Sequence, residues 1–125
     1  MKTMTEATKS KPEEYRDRTK KFALRIIRLY QSLPFKTDTQ TLGKQLLRSG
    51  TSVAANYRAV CRARSKAEFI AKIGIVLEEC DETVFWLEVL GESGIVQQKK
   101  LTELLKEANE LVRIFSASRQ TAKGY

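Results

Sequence analysis

Apolar residues recur at steps of three and four positions through almost the whole sequence, and this period constrains the fold more than any other feature. The period marks one buried face of an α-helix, because about 3.6 residues complete a helical turn. It is interrupted at few places, since the chain contains only two prolines and six glycines. An all-β fold would need many more turn residues. The sequence therefore predicts an all-α fold.

The interruptions carry recognisable helix boundaries. Pro12 stands where the first turn of a helix tolerates proline, and Pro34 ends the first apolar block. Ser65 followed by Glu68 has the spacing of a capping box and marks a fresh helix start. The predicted helices cover residues 13–32, 37–63, 65–91 and 97–118.

These four helices are joined by short connections. A short connection returns the chain beside itself, so we expect an antiparallel up-and-down four-helix bundle formed by residues 12–119. The length suits one compact domain. Residues 1–11 lack an apolar period and are expected to be a disordered basic tail, and residues 120–125 a frayed one.

Charge is distributed unevenly along the chain. Residues 1–64 carry 15 Lys or Arg and 5 Asp or Glu, whereas residues 65–125 carry 8 and 10. On the first two predicted helices, basic residues follow one another on the side away from the apolar face. They have the spacing for phosphate contacts with a nucleic acid, but subunit contacts and an ordinary solvated face also fit. The candidate nucleic-acid-binding residues are Lys21, Arg25, Arg28, Lys44, Arg48, Arg58 and Arg62.

The third predicted helix has apolar residues on its outer face as well as its inner face. Ile75, Trp86 and Val89 project among acidic residues, where a lone bundle would leave them exposed to water. Large apolar side chains in such positions indicate a partner surface. The predicted oligomer interface consists of Ile75, Glu79, Glu82, Trp86 and Val89.

No catalytic or metal-binding constellation is found in the sequence. The chain contains no histidine, which removes the commonest general base and the commonest transition-metal ligand. It also lacks a Walker-type phosphate loop and an apolar run of membrane-spanning length, and we expect no secretory leader. Its cysteines, Cys61 and Cys80, lie in apolar stretches and suit a reducing compartment. We therefore expect a cytoplasmic protein that is not an enzyme, needs no metal or cofactor and has no membrane partner.

Three sequence stretches together resemble a known protein family. They are R-S-G-T-S-V-A-A-N-Y-R at residues 48–58, R-S-K-A-E-F-I-A-K-I at residues 64–73 and E-C-D-E-T-V-F-W-L-E-V-L at residues 79–90. The chain is similar to the bacterial four-helix bundle proteins encoded in intervening sequences of 23S ribosomal RNA.

The resemblance implies a homopentamer of bundles with a central channel. It also implies a fold relationship to the accessory proteins of diversity-generating retroelements, which engage a reverse transcriptase and RNA. The expected function is accordingly that of an oligomeric bundle binding ribosomal or other structured RNA. The alternative is a structural or adaptor protein whose partner is another protein, such as a reverse transcriptase, with the basic face used between subunits.

Overall fold

The computed structural model describes residues 10–124, and this part of the chain contains four α-helices and no strand. The predicted all-α four-helix bundle is confirmed. Contacts join each helix to the next along the chain, and each such pair runs antiparallel. The helices are α1 (Lys11–Gln31), α2 (Thr37–Val60), α3 (Lys66–Glu92) and α4 (Gln98–Lys123).

Serine side chains cap the starts of α1 and α3. The Ser10 hydroxyl accepts a hydrogen bond from the backbone N–H of Glu13, and Ser65 accepts one from that of Glu68 at 3.0 Å. The first helix therefore begins at Lys11, inside the segment expected to be a tail. The rest of that predicted tail, residues 1–9, lies outside the described residues.

The ends of α2 and α4 differ from the prediction. α2 ends at Val60 rather than near residue 63, because the chain tightens into a turn in which Ala63 N–H donates to Val60 C=O at 3.0 Å. α4 continues to Lys123, five residues beyond the predicted end at Ser118. It stops at Gly124, whose φ of 90° suits a helix C-cap that glycine adopts without steric cost. Residues 120–123 are thus helical rather than frayed.

Two glycines of α2 let α1 approach closely. A Cβ atom on Gly50 would lie 2.9 Å from side-chain carbons of Ile26, and one on Gly43 would lie 3.1 Å from the ring of Tyr30. Ile26 itself is completely buried. The small residues of this helix, which depress its intrinsic helix propensity, therefore serve the packing of α1 against α2.

The contact between α1 and α4 is sparser than the other three. It is reinforced by Arg18, whose guanidinium lies 2.7 Å from a carboxylate oxygen of Glu107 and 2.9 Å from one of Glu110. These ion pairs raise the pKa of Arg18 above its usual range and lower that of Glu110. At the same end of the bundle, the rings of Tyr15 and Phe115 meet edge to face with centroids 5.9 Å apart.

Candidate functional surfaces

The seven basic residues predicted to bind nucleic acid do not share one surface. Arg18 reaches the carboxylates of α4, which identifies the edge of α1 that faces α4. Lys21 and Arg25 follow Arg18 by three and seven residues, so helix geometry puts them along that same edge. Arg28 is exposed on the outer side of α1. Lys44 is exposed in the first half of α2, and Arg62 is exposed in the turn that follows the helix.

Arg48 belongs to the contact between α2 and α3. Its guanidinium lies 3.2 Å from a carboxylate oxygen of Glu79 and 2.5 Å from one of Glu82. The two pairs raise the pKa of Arg48, and the hydrogen bond from Arg48 holds the pKa of Glu82 below its usual range. Next to them, the Thr83 hydroxyl donates to Ser49 Oγ at 3.1 Å in the buried interior. Arg48 is therefore engaged within its own chain.

The same geometry changes the interpretation of the predicted oligomer interface. Glu79 and Glu82 share one cation of the same chain, Arg48, so the three side chains together keep one negative charge. Trp86 donates its indole N–H to Glu82 at 3.2 Å and packs partly against its own core. Sequence reasoning missed this pairing because it depends on the rotation of α3 relative to α2.

The outer face of α3 nevertheless exposes apolar side chains. Ile75 is 46% exposed and Phe85 is 51% exposed. The Phe85 ring meets Trp86 edge to face with centroids 4.9 Å apart, and Val89 lies half-buried one turn further on. Phe85 was missed at the sequence level, although its spacing of four residues from Val89 is the signal that would have found it. We call Ile75, Phe85, Trp86 and Val89 the α3 face.

A shallow basic groove lies between the outer sides of α1 and α2. Its volume is about 300 Å³. Arg58 of α2 is the one candidate from the sequence that lines it. The two other cations there, Arg16 and Lys20, were missed, although their spacing of one helical turn is visible in the sequence. The residues of this α1–α2 groove are Arg16, Asp17, Lys20, Ala54, Ala55 and Arg58.

Neither a metal site nor a membrane span is found within residues 10–124. This part of the chain contains no cluster of three or more His, Cys, Asp or Glu side chains arranged to hold a metal ion. It also contains no helix that is both long and apolar enough to cross a bilayer. Cys61 and Cys80 are both free thiols.

A family profile described as 23S rRNA-intervening sequence protein matches residues 13–117, which span all four helices. The chain belongs to this family. Among solved structures, the chain is similar to a protein of unknown function from the S23 ribosomal protein family of Bacteroides thetaiotaomicron. The two share 33% sequence identity and superpose with a TM-score of 0.79. The similarity covers 84% of this chain and 97% of the other. None of the curated proteins matches the chain significantly.

Proposed function

We propose that this family member is a non-catalytic bundle that assembles with copies of itself and binds structured RNA through the α1–α2 groove. The observation that carries the RNA-binding part is the convergence of Arg16, Lys20 and Arg58 on one groove. Asp17 is the one carboxylate among the residues that line the groove, so the cations there are in excess by two. This excess of positive charge is available to neutralise phosphate groups.

The shape of the groove favours a nucleic-acid backbone over a small ligand. Ala54 and Ala55 line it on the α2 side, and such short side chains allow a sugar–phosphate chain to come close to the helix. Arg16 and Lys20 stand one helical turn apart on the α1 side, so they can contact successive groups of an extended chain. Phosphate contacts of this kind fix position and do not read sequence.

Binding is tested with ribosomal RNA fragments in an electrophoretic shift assay over a salt series. The combined variant Arg16→Glu, Lys20→Glu and Arg58→Glu is expected to lose most of its affinity and to flatten the salt dependence. A matched control reverses three exposed cations of α3 and α4, Lys66→Glu, Lys106→Glu and Arg113→Glu, with the same change in net charge. If both triple variants weaken binding equally, net charge alone explains the affinity and the groove has no special role.

The proposed assembly uses the α3 face against a different surface of the neighbouring copy. The exposed parts of Ile75 and Phe85 lie on a helix rich in carboxylates, and exposed cations of α1 and α2 outside the α1–α2 groove, such as Arg28 and Lys44, can meet it in the next copy. An acidic, apolar face that meets a basic one gives a heterologous contact, which closes into a ring when the rotation allows. The homopentamer implied by the family resemblance is such a ring.

Light scattering tests the assembly. The double variant Ile75→Ser and Phe85→Ser is expected to have the mass of a single chain at micromolar concentration, while the wild type has that of a pentamer. Both side chains are substantially exposed, so the variant should fold. A wild-type protein that is itself monomeric would contradict the ring.

A second candidate function is that of an adaptor for another protein, and the α3 face is the observation that favours it. Exposed apolar side chains set among carboxylates also suit a reverse transcriptase or a similar protein partner. This alternative gains support if the double variant keeps the wild-type mass, because the face would then be unused in self-assembly.

A further inference from the structure

Phe35 is the most exposed large apolar side chain among the described residues, with 97% of its surface accessible. It lies in the connection between α1 and α2, at the opposite end of the bundle from Tyr15 and Phe115. A phenylalanine gains stability from burial, and this one is left entirely in water. Nothing in the packing of the bundle explains it.

The connection that carries Phe35 is held in place on both sides. Leu33 is buried, with 6% of its surface exposed. The Tyr30 hydroxyl donates to Gln40 Oε1 at 2.9 Å, and Gln40 Nε2 donates to the carbonyl oxygen of Pro34 at 3.0 Å. This bridge ties α1, the connection and α2 together. Phe35 is therefore presented on a preorganised support, which lowers the entropic cost of using its ring in binding.

Basic side chains surround this end of the bundle. Lys36 follows Phe35 directly, and Lys100 of α4 lies beside the same connection, sharing a surface hollow with Pro34. The first turn of α4 contains Lys99 and Lys100 and no acidic residue, and the helix has no side-chain cap. Cations there oppose the helix dipole and cost stability.

Acidic residues lie near this end as well. Asp38 occupies the first turn of α2, where its carboxylate accepts from Thr39 N–H at 2.8 Å, and Glu92 ends α3. The three lysines, Lys36, Lys99 and Lys100, therefore outnumber these two carboxylates by one. Asp38 is engaged with its own helix start.

We propose that Phe35 stacks on an unpaired base of RNA while Lys36 and Lys100 hold the adjoining phosphates. Stacking needs one accessible ring face with a cation nearby, whereas a protein contact centred on an aromatic residue needs an apolar surround that excludes water. Phe35 meets both requirements for stacking, since 97% of its surface is accessible and Lys36 is next to it in the chain. The surroundings thus favour a base over a protein partner.

This inference rests on the proposed RNA binding and deepens it. Lys20 in the α1–α2 groove and Gln31 at the end of α1 are eleven residues apart. Eleven residues of helix measure about 17 Å. A stem with one backbone strand along the groove can therefore present its unpaired loop at Phe35, which makes a stem–loop the preferred class of ligand.

Fluorescence anisotropy with two labelled RNAs tests the stacking: a hairpin with an unpaired loop, and a continuous duplex of the same stem sequence. Phe35→Leu keeps an apolar side chain but removes the aromatic face, so it should weaken binding of the hairpin roughly 10- to 100-fold and leave the duplex unaffected. Phe35→Trp should bind the hairpin at least as tightly as the wild type. Both variants should fold, since the side chain makes no packing contribution.

The outcomes separate this inference from the proposed function. If Phe35→Leu binds the hairpin as the wild type does, while the triple groove variant loses it, the stacking is refuted and the RNA-binding function stands. If the wild type binds neither RNA, both fail. A change in the oligomeric mass of Phe35→Leu, measured by light scattering, would identify the ring as a contact between proteins and would also overturn the stacking.

Discussion

Arg48 and Arg58 both lie on α2, but they should contribute to different properties of the protein. Arg48 pairs with Glu79 and Glu82 of α3, and Arg58 lines the α1–α2 groove. Replacing each in turn by glutamine removes one positive charge from the same helix. Arg48→Gln should lower stability, whereas Arg58→Gln should weaken RNA binding.

The magnitude for Arg48 follows from its exposure. Its side chain is 49% exposed, and those of Glu79 and Glu82 are 17% and 35% exposed. Partly exposed pairs contribute about 0.2–1 kcal/mol each, and the loss leaves the more buried carboxylate without its cation. We expect the free energy of unfolding to fall by about 1 kcal/mol. Arg58→Gln should change it by less than about 0.5 kcal/mol, as is usual for a surface substitution.

Urea denaturation followed by circular dichroism measures the stability difference, at one fixed protein concentration because assembly shifts the apparent stability. RNA titrations over a salt series measure the affinity of each variant for RNA. For Arg58→Gln, the slope of log affinity against log salt concentration should fall by about 0.7–0.9, the value for one lost phosphate contact. The reasoning is refuted if Arg48→Gln unfolds like the wild type and reduces the salt slope as much as Arg58→Gln does.

Three further predictions concern the bundle itself. Arg48 depresses the pKa of Glu82, so the stabilising contribution of this carboxylate is complete above about pH 4.3 and is lost as the pH falls through its folded pKa. Glu82→Gln should therefore reduce the loss of stability at acidic pH in a plot of the free energy of unfolding against pH. Gly50→Ala should destabilise the protein by about 1 kcal/mol in thermal or urea unfolding, because overpacking against a buried isoleucine outweighs the gain in helix propensity. At Gly74 an added Cβ would meet the flexible side chain of Arg119, with Nε at 3.3 Å, so Gly74→Ala should be neutral or stabilising by up to about 1 kcal/mol. An equal loss of stability in Gly50→Ala and Gly74→Ala would contradict this difference between the two glycines. Burial raises the pKa of the Cys80 thiol to about 12, so a thiol reagent at pH 8 should modify half-buried Cys61 first and Cys80 only on unfolding; equal rates in the folded protein would rule this out.

Much of the fold could be predicted from the sequence because its signals are local. The apolar period, the serine cap at Ser65 and the two prolines each act within a few residues, and they located four helices with boundaries mostly within a few positions. The end of α4 was missed because it depends on Gly124 and not on the apolar period, which fades after Phe115.

The candidate surfaces were less predictable. The sequence by itself determined that α1 and α2 are basic and that α3 carries apolar residues on its outer face. Only the tertiary structure decided that Arg48 is paired with α3, that Arg16 and Lys20 join Arg58, and that Phe85 is exposed. The physical reason is that the helical period fixes the angle between residues of one helix, whereas the side that each helix turns to its neighbours is set by packing. The close contact of Gly50 with Ile26 is one example.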